Sequence, residues 1–264
     1  MSARPWYSPA TGAPLSHVGA LDILAQAPIV LLGEQHDIAA IHRWQLHVAA
    51  GLLARRPLVL GFEMFPARLD PVLAEWVDGR LDEDTFLARA EWNKVWGFPA
   101  ELYLPLFRFC RETGTAMVGL NCRRDLVREV GRDGWAAIPE DAREGLTPAA
   151  PSPRAYRDDL FRMVAGSGAA RGAVDGRDPA FDRFVRAQEV WDRAFATRLA
   201  TATDHPGAPQ VVGIIGQGHL HWGGGVSHQL ASLGHPGSCV AVPRPRSAAS
   251  LPAGAADLVA LLPD

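Results

Sequence analysis

Two short turns of this chain share a pattern: Gly33-Glu-Gln-His36 and Gly216-Gln-Gly-His219 each place a histidine three residues after a glycine. Between them in the sequence lies Glu63, near the end of the apolar run 58–65. Imidazoles and carboxylates bind divalent metals and move protons near neutral pH, so these residues form a candidate site. As ligands, His36, Glu63 and His219 would hold a divalent ion such as zinc or manganese. Such an ion activates water or polarises a carbonyl or phosphoryl oxygen. In that reading the protein is a metal-dependent hydrolase, and Glu34, Glu63 and His219 carry its catalytic acid–base chemistry. Asn121, Arg123 and His221 stand in comparable places. Arg123 is expected to grip an anionic group through its two-pronged guanidinium.

Residues this far apart meet only if the fold brings them to one edge. Residues 28–34 form an apolar run of the kind expected for a strand buried on both faces, ending abruptly in Gly33 and polar side chains. The runs 58–65, 116–122 and 210–216 end the same way. In an open α/β sheet, ligands sit outside the carboxyl ends of the strands, so parallel alignment would gather all four polar sets. The competing reading is that strand ends are polar because they reach solvent. Repetition at four ends favours a site.

The expected fold is therefore α/β, a mainly parallel sheet flanked by helices, with an inserted helical subdomain. Residues 1–20 read as an extended arm or small hairpin, and residues 19–27 as a short helix. The stripe Ile41, Trp44, Val48 and Leu52 predicts a helix over 37–55, closed by Pro57. Further helices are expected over 71–77, 82–92 and 99–113, the second opened by Asp82 as a cap. Residues 125–209 show helical stripes and no buried-strand run, which divides the chain into an α/β domain (1–124 and 210–264) and a helical insert (125–209). In the insert, Asp178-Pro179 opens a helix whose apolar stripe is interrupted by Gln188 and Asp192, marking a buried polar site or a partner helix. The last strand is expected over 238–242, followed by an Ala-rich tail. Gly223, Gly224 and Gly225 lack the lysine and spacing of a phosphate loop and read as a tight turn.

Composition bounds the function. With 26 basic against 29 acidic residues, a net charge of -3 and no long basic run, a nucleic-acid binder is not expected. Cys110, Cys122 and Cys239 are scattered and odd in number, which argues against a disulfide framework or a thiolate zinc site. No apolar run reaches the roughly 20 residues of a membrane-spanning helix, and the first residues lack a signal-peptide core. The expected location is cytoplasmic.

Leu-Leu-Gly-Glu-Gln-His-Asp (31–37), Gly-Phe-Glu-Met-Phe (61–65), the Asn-x-x-Arg segment at Asn121, Phe-Val-Arg-Ala-Gln-x-x-Trp-Asp (184–192) and Gly-Gln-Gly-His (216–219) together resemble the ChaN-like haem-binding uptake family of the Tiki, TraB and erythromycin-esterase superfamily. The resemblance implies an α/β domain with a helical subdomain and a role in haem or iron handling. Haem is then the expected cofactor, held between insert and sheet edge by Tyr156, Arg123 and Gln188, with a homodimer as a partner arrangement. Tyr156 is the implied iron ligand, since a phenolate can hold ferric haem. The two Gly-x-x-His turns and Glu63 match elements of the superfamily's metal-dependent or hydrolytic members.

Overall fold

The computed structural model describes residues 5–170, 172–205, 207 and 209–264. Its frame is one eight-stranded sheet in the order β2-β1-β8-β7-β3-β6-β4-β5, where β1 is Trp6–Tyr7, β2 Pro14–Leu15, β3 Ile29–Glu34, β4 Leu58–Pro66, β5 Ala116–Asn121, β6 Gln210–Gly216, β7 Cys239–Pro245 and β8 Leu258–Leu262. The six strands β3 to β8 pair in parallel, and the short β1 is antiparallel to both of its neighbours, β2 and β8. Parallel pairing is what delivers the carboxyl ends of β3, β4, β5 and β6 to one edge.

Every residue of β3, β4 and β6 is buried, because helices cover both faces. Alternate side chains point to opposite faces. Val30, Leu32, Leu60, Phe62 and Ile214 enter one core, while Ile29, Leu31, Val59, Val211 and Ile215 enter the other. The first core is roofed by helices α1 (His17–Leu24), α2 (Ala39–Leu53), α3 (Asp70–Val77), α4 (Glu83–Arg89), α5 (Trp92–Val95) and α6 (Leu104–Thr113). Within it Phe62, Phe65, Phe86, Trp92, Tyr103 and Phe107 pack ring against ring at 5.3–6.3 Å. That packing holds Tyr103 in place beneath the end of β3.

The second face is covered by α7 (Arg124–Asp133), α9 (Asp182–Ala202) and α10 (Val226–Ser232); α8 (Arg154–Val164) lies at its end. Val190, Ala194, Phe195, Ala196 and Leu199 of α9 lie in the same core as β3 and β6. Thus the longest helix of segment 125–209 is the lid of a sheet face, and among the described residues a small cluster that includes Tyr156, Leu160, Phe161, Phe181, Phe184 and Val185 packs apart from the two cores. A helical stripe in the sequence shows that one face is buried but not against what.

Two other expectations change in detail, and one of the two readings of the N-terminal segment is met. The helix expected over 82–92 is interrupted: Asp82 caps α4 by accepting the Thr85 N–H at 2.7 Å, but Glu91 then takes a left-handed conformation (φ 51°) before α5 begins. The N-terminal arm is a hairpin, and its β1 joins the sheet edge. The segment expected as an Ala-rich tail carries β8, which pairs with both β7 and β1. Among the described residues no helix is long and apolar enough to cross a membrane.

Candidate functional site

The carboxyl ends of β3, β4 and β6 lie side by side. Glu34 and Gly216 are direct partners across the β3–β6 pair, and β6 also pairs with β4. Glu63 follows Phe62 on β4, and its Oε2 accepts the Gly216 N–H at 2.5 Å. A β-carbon at position 216 would lie 3.0 Å from His36 Cε1 and 3.3 Å from both His36 Nε2 and Glu63 Oε2. A side chain there would crowd the imidazole and the carboxylate. On the other side, His219 Nε2 stands 3.7 Å from Glu63 Oε1. The structure thus brings Glu34, His36, Glu63 and His219 into one cluster around Glu63.

Each imidazole is held by a buried carboxylate. His36 donates from Nδ1 to Glu34 Oε1 at 2.6 Å, and His219 donates from Nδ1 to Asp192 Oδ1 at 2.6 Å. Each carboxylate in turn accepts a buried tyrosine hydroxyl: Tyr103 to Glu34 Oε1 at 3.0 Å, and Tyr156 to Asp192 Oδ2 at 2.9 Å. Two matched chains, tyrosine to acid to histidine, therefore run to the neighbourhood of Glu63: His219 Nε2 stands 3.7 Å from it, and the His36 ring shares with it the space beside Gly216. Donation from Nδ1 fixes the tautomer and leaves Nε2 available for other chemistry. The surroundings lock the frame: His42 donates from Nε2 to the His36 carbonyl at 3.1 Å, and Gln45 donates to the Leu32 carbonyl at 3.2 Å. Asn121 donates to the Glu63 carbonyl at 2.9 Å, so it positions the β4 backbone while also lining the cleft.

The electrostatics follow from burial. Desolvation pushes the Glu63 carboxyl upward, against the opposing pull of His219 and His36. Asp192 is raised for the same reason, opposed by His219. Burial acts against charge on both histidines, yet both pKa values rise. For His36 the Glu34 hydrogen bond and the Glu63 and Glu34 charges prevail; for His219 the Asp192 charge and hydrogen bond and the Glu63 charge do so. Groups coupled this closely titrate as a set rather than one by one.

A cleft of about 1060 Å³ opens over the cluster. His36, Glu63 and His219 form its floor, Trp96, Phe98, Phe184 and Trp191 its apolar walls, and Arg124, Arg128 and Arg183 also line it. His36 is the more accessible imidazole, its side chain 29% exposed against 12% for His219. Its ring is gripped by Trp96 and Phe98 at centroid distances of 4.9 and 5.0 Å.

Other expected residues stand elsewhere. Arg123 turns away from the cleft: its guanidinium pairs with Glu144 at 3.0 Å and donates to the Ala142 carbonyl at 2.7 Å. Its neighbour Arg124 lines the cleft instead, because Arg123 is the residue before α7 and Arg124 is its first. Tyr156 is fully buried, its hydroxyl also 3.1 Å from the Gly218 carbonyl. Burial first, then the Asp192 charge, push its phenol well above the usual range, so it does not meet the requirements of an exposed phenolate. Gln188 stands behind the site, its amide 2.9 Å from His219 Nδ1 and donating to Tyr156 at 3.2 Å. His221 pairs with Asp159 at 3.0 Å outside the cleft.

The expected metal set does not assemble: among the described residues, no three His, Cys, Asp or Glu side chains are arranged to share one ion. Sequence reasoning marked Asp192 as part of a buried polar site without pairing it to His219, chose Arg123 rather than Arg124, and missed Tyr103, Arg128 and Arg183. A polar residue on an apolar stripe was the available signal for Asp192, and the spacing of Arg124 and Arg128, one helical turn apart, was the signal for the rim.

An open, mostly parallel α/β sheet with an acid–base cluster under a cleft at its carboxyl edge defines the class. The chain belongs to the family described as haem-binding uptake, Tiki superfamily, ChaN, whose match covers residues 20–230. Similar folds include the solved structure described as cofacial heme binding to ChaN of Campylobacter jejuni, with 16% identity, a TM-score of 0.70 and 96% of this chain against 94% of that one. The type III effector HopBA1 is 12% identical, with a TM-score of 0.53 and 93% and 92% covered. Against curated protein sequences, nothing matches.

Proposed function

We propose that this chain binds haem in the cleft over the sheet edge and serves haem or iron handling. The carrying observation is the cleft itself: a volume of about 1060 Å³, aromatic walls and three arginines in a member of a haem-binding family. That volume is at the upper end of ordinary small-molecule sites, roughly 300–1,000 Å³, and suits a large flat ligand. Trp96, Phe98, Phe184 and Trp191 would take the macrocycle, and Arg124, Arg128 and Arg183 the propionates through charge-assisted hydrogen bonds.

Tyrosine ligation fits this chain poorly. Tyr103 and Tyr156 are fully buried and hydrogen-bonded to carboxylates, and Tyr7 accepts the Leu251 N–H at 2.8 Å on the far side of the sheet. His36 fits better, with Nδ1 held by Glu34 and Nε2 facing the cleft floor. A carboxylate-held imidazole is a more basic iron ligand. When bound, haem supplies an iron centre and a chromophore; the residues named here supply its orientation and its charge balance.

A haemin titration followed at the Soret band tests this. Saturable binding is expected, weakened at least tenfold by His36→Ala and little changed by Tyr156→Phe; a free-haemin spectrum at saturation would reject the reading. The homodimer expected from the sequence would cover the open side of the cleft, and sedimentation with and without haemin measures it.

A further inference from the structure

We infer that a second cavity, separated from the cleft by α2, is a binding site for a small aromatic carboxylate. The helix itself shows how the two places are kept apart. Its buried His42 and Gln45 reach toward the end of β3, where they hold the His36 and Leu32 carbonyls. Its Arg43, Trp44 and His47 instead line a cavity of about 720 Å³ between α2 and the edge of the sheet. From the sheet side the cavity is lined by Trp6 of β1 and Ala260 of β8, which are partners across the β1–β8 pair. No described residue lines both the cavity and the cleft. The volume falls within the range of small-molecule sites, roughly 300–1,000 Å³, and so does the make-up, an apolar wall carrying a few polar groups.

The polar groups give the ligand its charge. Trp44 is 7% exposed, and its Nε1–H is a buried donor with no acceptor among the described residues. Leaving such a donor unpaired is costly, so an oxygen brought into the cavity gains from meeting it. His17 and His47 also line the cavity, their ring centroids 4.5 Å apart. Trp6 donates from Nε1 to His17 Nδ1 at 3.1 Å, which leaves the proton of the neutral ring on Nε2 and makes that nitrogen a donor rather than a metal ligand. Burial first, then the charges of His47 and Arg55, lower the His17 pKa and favour that neutral form. Arg43 forms no ion pair among the described residues. The acid at the rim, Asp264, already accepts the Ser247 N–H at 3.1 Å and the Ser247 hydroxyl at 2.6 Å. Donors and positive charge therefore prevail, and the flat fork of a guanidinium suits a carboxylate. The indoles of Trp6 and Trp44, 5.7 Å apart and tilted by 47°, give the ligand's ring an aromatic surface to pack on.

The test is isothermal titration calorimetry of the purified full chain with indole-3-acetate, its neutral relative indole-3-acetamide and inorganic phosphate as probes. Expected is saturable binding of indole-3-acetate, at least about tenfold tighter than that of the amide, and weaker binding of phosphate, which lacks the ring. Arg43→Ala, at an exposed position of α2, should weaken the acid about tenfold and remove its advantage over the amide. Trp44→Phe keeps a ring in the wall and deletes the unpaired donor, and should weaken the acid severalfold. Tryptophan indole NMR of the unmutated protein locates the ligand without relying on any variant: the Trp6 and Trp44 N–H signals should shift on titration, and those of Trp96 and Trp191 in the cleft should stay in place. Absence of binding, equal affinity for acid and amide, phosphate binding as tightly as the acid, or shifts confined to Trp96 and Trp191 would each overturn the proposal. Haemin provides an independent check. Protein loaded with haemin should bind indole-3-acetate unchanged, whereas competition would move the carboxylate into the cleft and remove the second site; failure to bind haemin at all rejects the haem reading and leaves this one standing.

Discussion

The two imidazole–carboxylate pairs have the same chemistry and different origins. Glu34 and His36 are two residues apart at the end of β3, so a single strand exit creates their pair. Asp192 and His219 are separated by 27 residues and meet only because α9 packs across the face that contains β6. The first pair is a product of local chain geometry, braced by Tyr103 from the aromatic core. The second is a product of tertiary packing, and its stability is that of the helix–sheet interface. A site divided this way can lose one half without the other.

Several substitutions would sharpen that contrast. Asp192→Ala is expected to have the largest effect, about 3–5 kcal/mol in urea unfolding, because it removes the buried carboxylate that holds His219 and leaves the Tyr156 hydroxyl only the Gly218 carbonyl. Leu199→Ala, in the fully buried stripe of α9, should cost about 2–5 kcal/mol through the cavity it leaves. Histidine NMR should show the His219 environment disturbed by this change and that of His36 preserved; equal disturbance of both would remove the distinction between the halves. Tyr156→Phe and Tyr103→Phe each delete one hydroxyl donated to an acid, and each should cost about 1–2 kcal/mol.

The smallest effect concerns the loop beyond His219. Burial alone would raise the Asp159 carboxyl, but hydrogen bonds from His221 and Trp222 and the charges of His221 and Arg162 outweigh it and hold the pKa below the usual value. A lowered acid stabilises the fold above its unfolded pKa near 4, and that contribution disappears as pH falls through the lower folded value. Asp159→Asn should therefore cost about 1 kcal/mol at pH 7 and progressively less as the solution is taken below pH 4. A difference that persists at the lowest pH would show that packing, not charge, holds the loop.

Close approach explains why that loop is so rich in glycine. A β-carbon at Gly224 would sit 2.2 Å from Tyr156 Cβ, and one at Gly225 would sit 2.0 Å from the His219 carbonyl oxygen. The three glycines were legible as a tight turn, but the surface they turn against was not. Tyr156 was legible as a residue of the insert, and its burial against Asp192 and Gly218 was not. The sequence pointed to Arg123 and the cleft is lined by Arg124, because which of two adjacent side chains faces a cleft depends on where α7 starts and how it is rotated.

What the sequence determined by itself is the set of buried strands and the residues at their ends. Continuous apolar runs stopping at Gly-x-x-His and at Glu63 can satisfy their backbone only inside a covered sheet, and parallel order then puts the ends together. Tertiary structure alone decided which acids meet which imidazoles, that α9 covers a sheet face and that β8 completes the sheet. It also decided that three arginines line one cleft. The reason is physical: a periodic pattern records that a face is buried, whereas the partner of that face is chosen by the packing of elements distant in the chain.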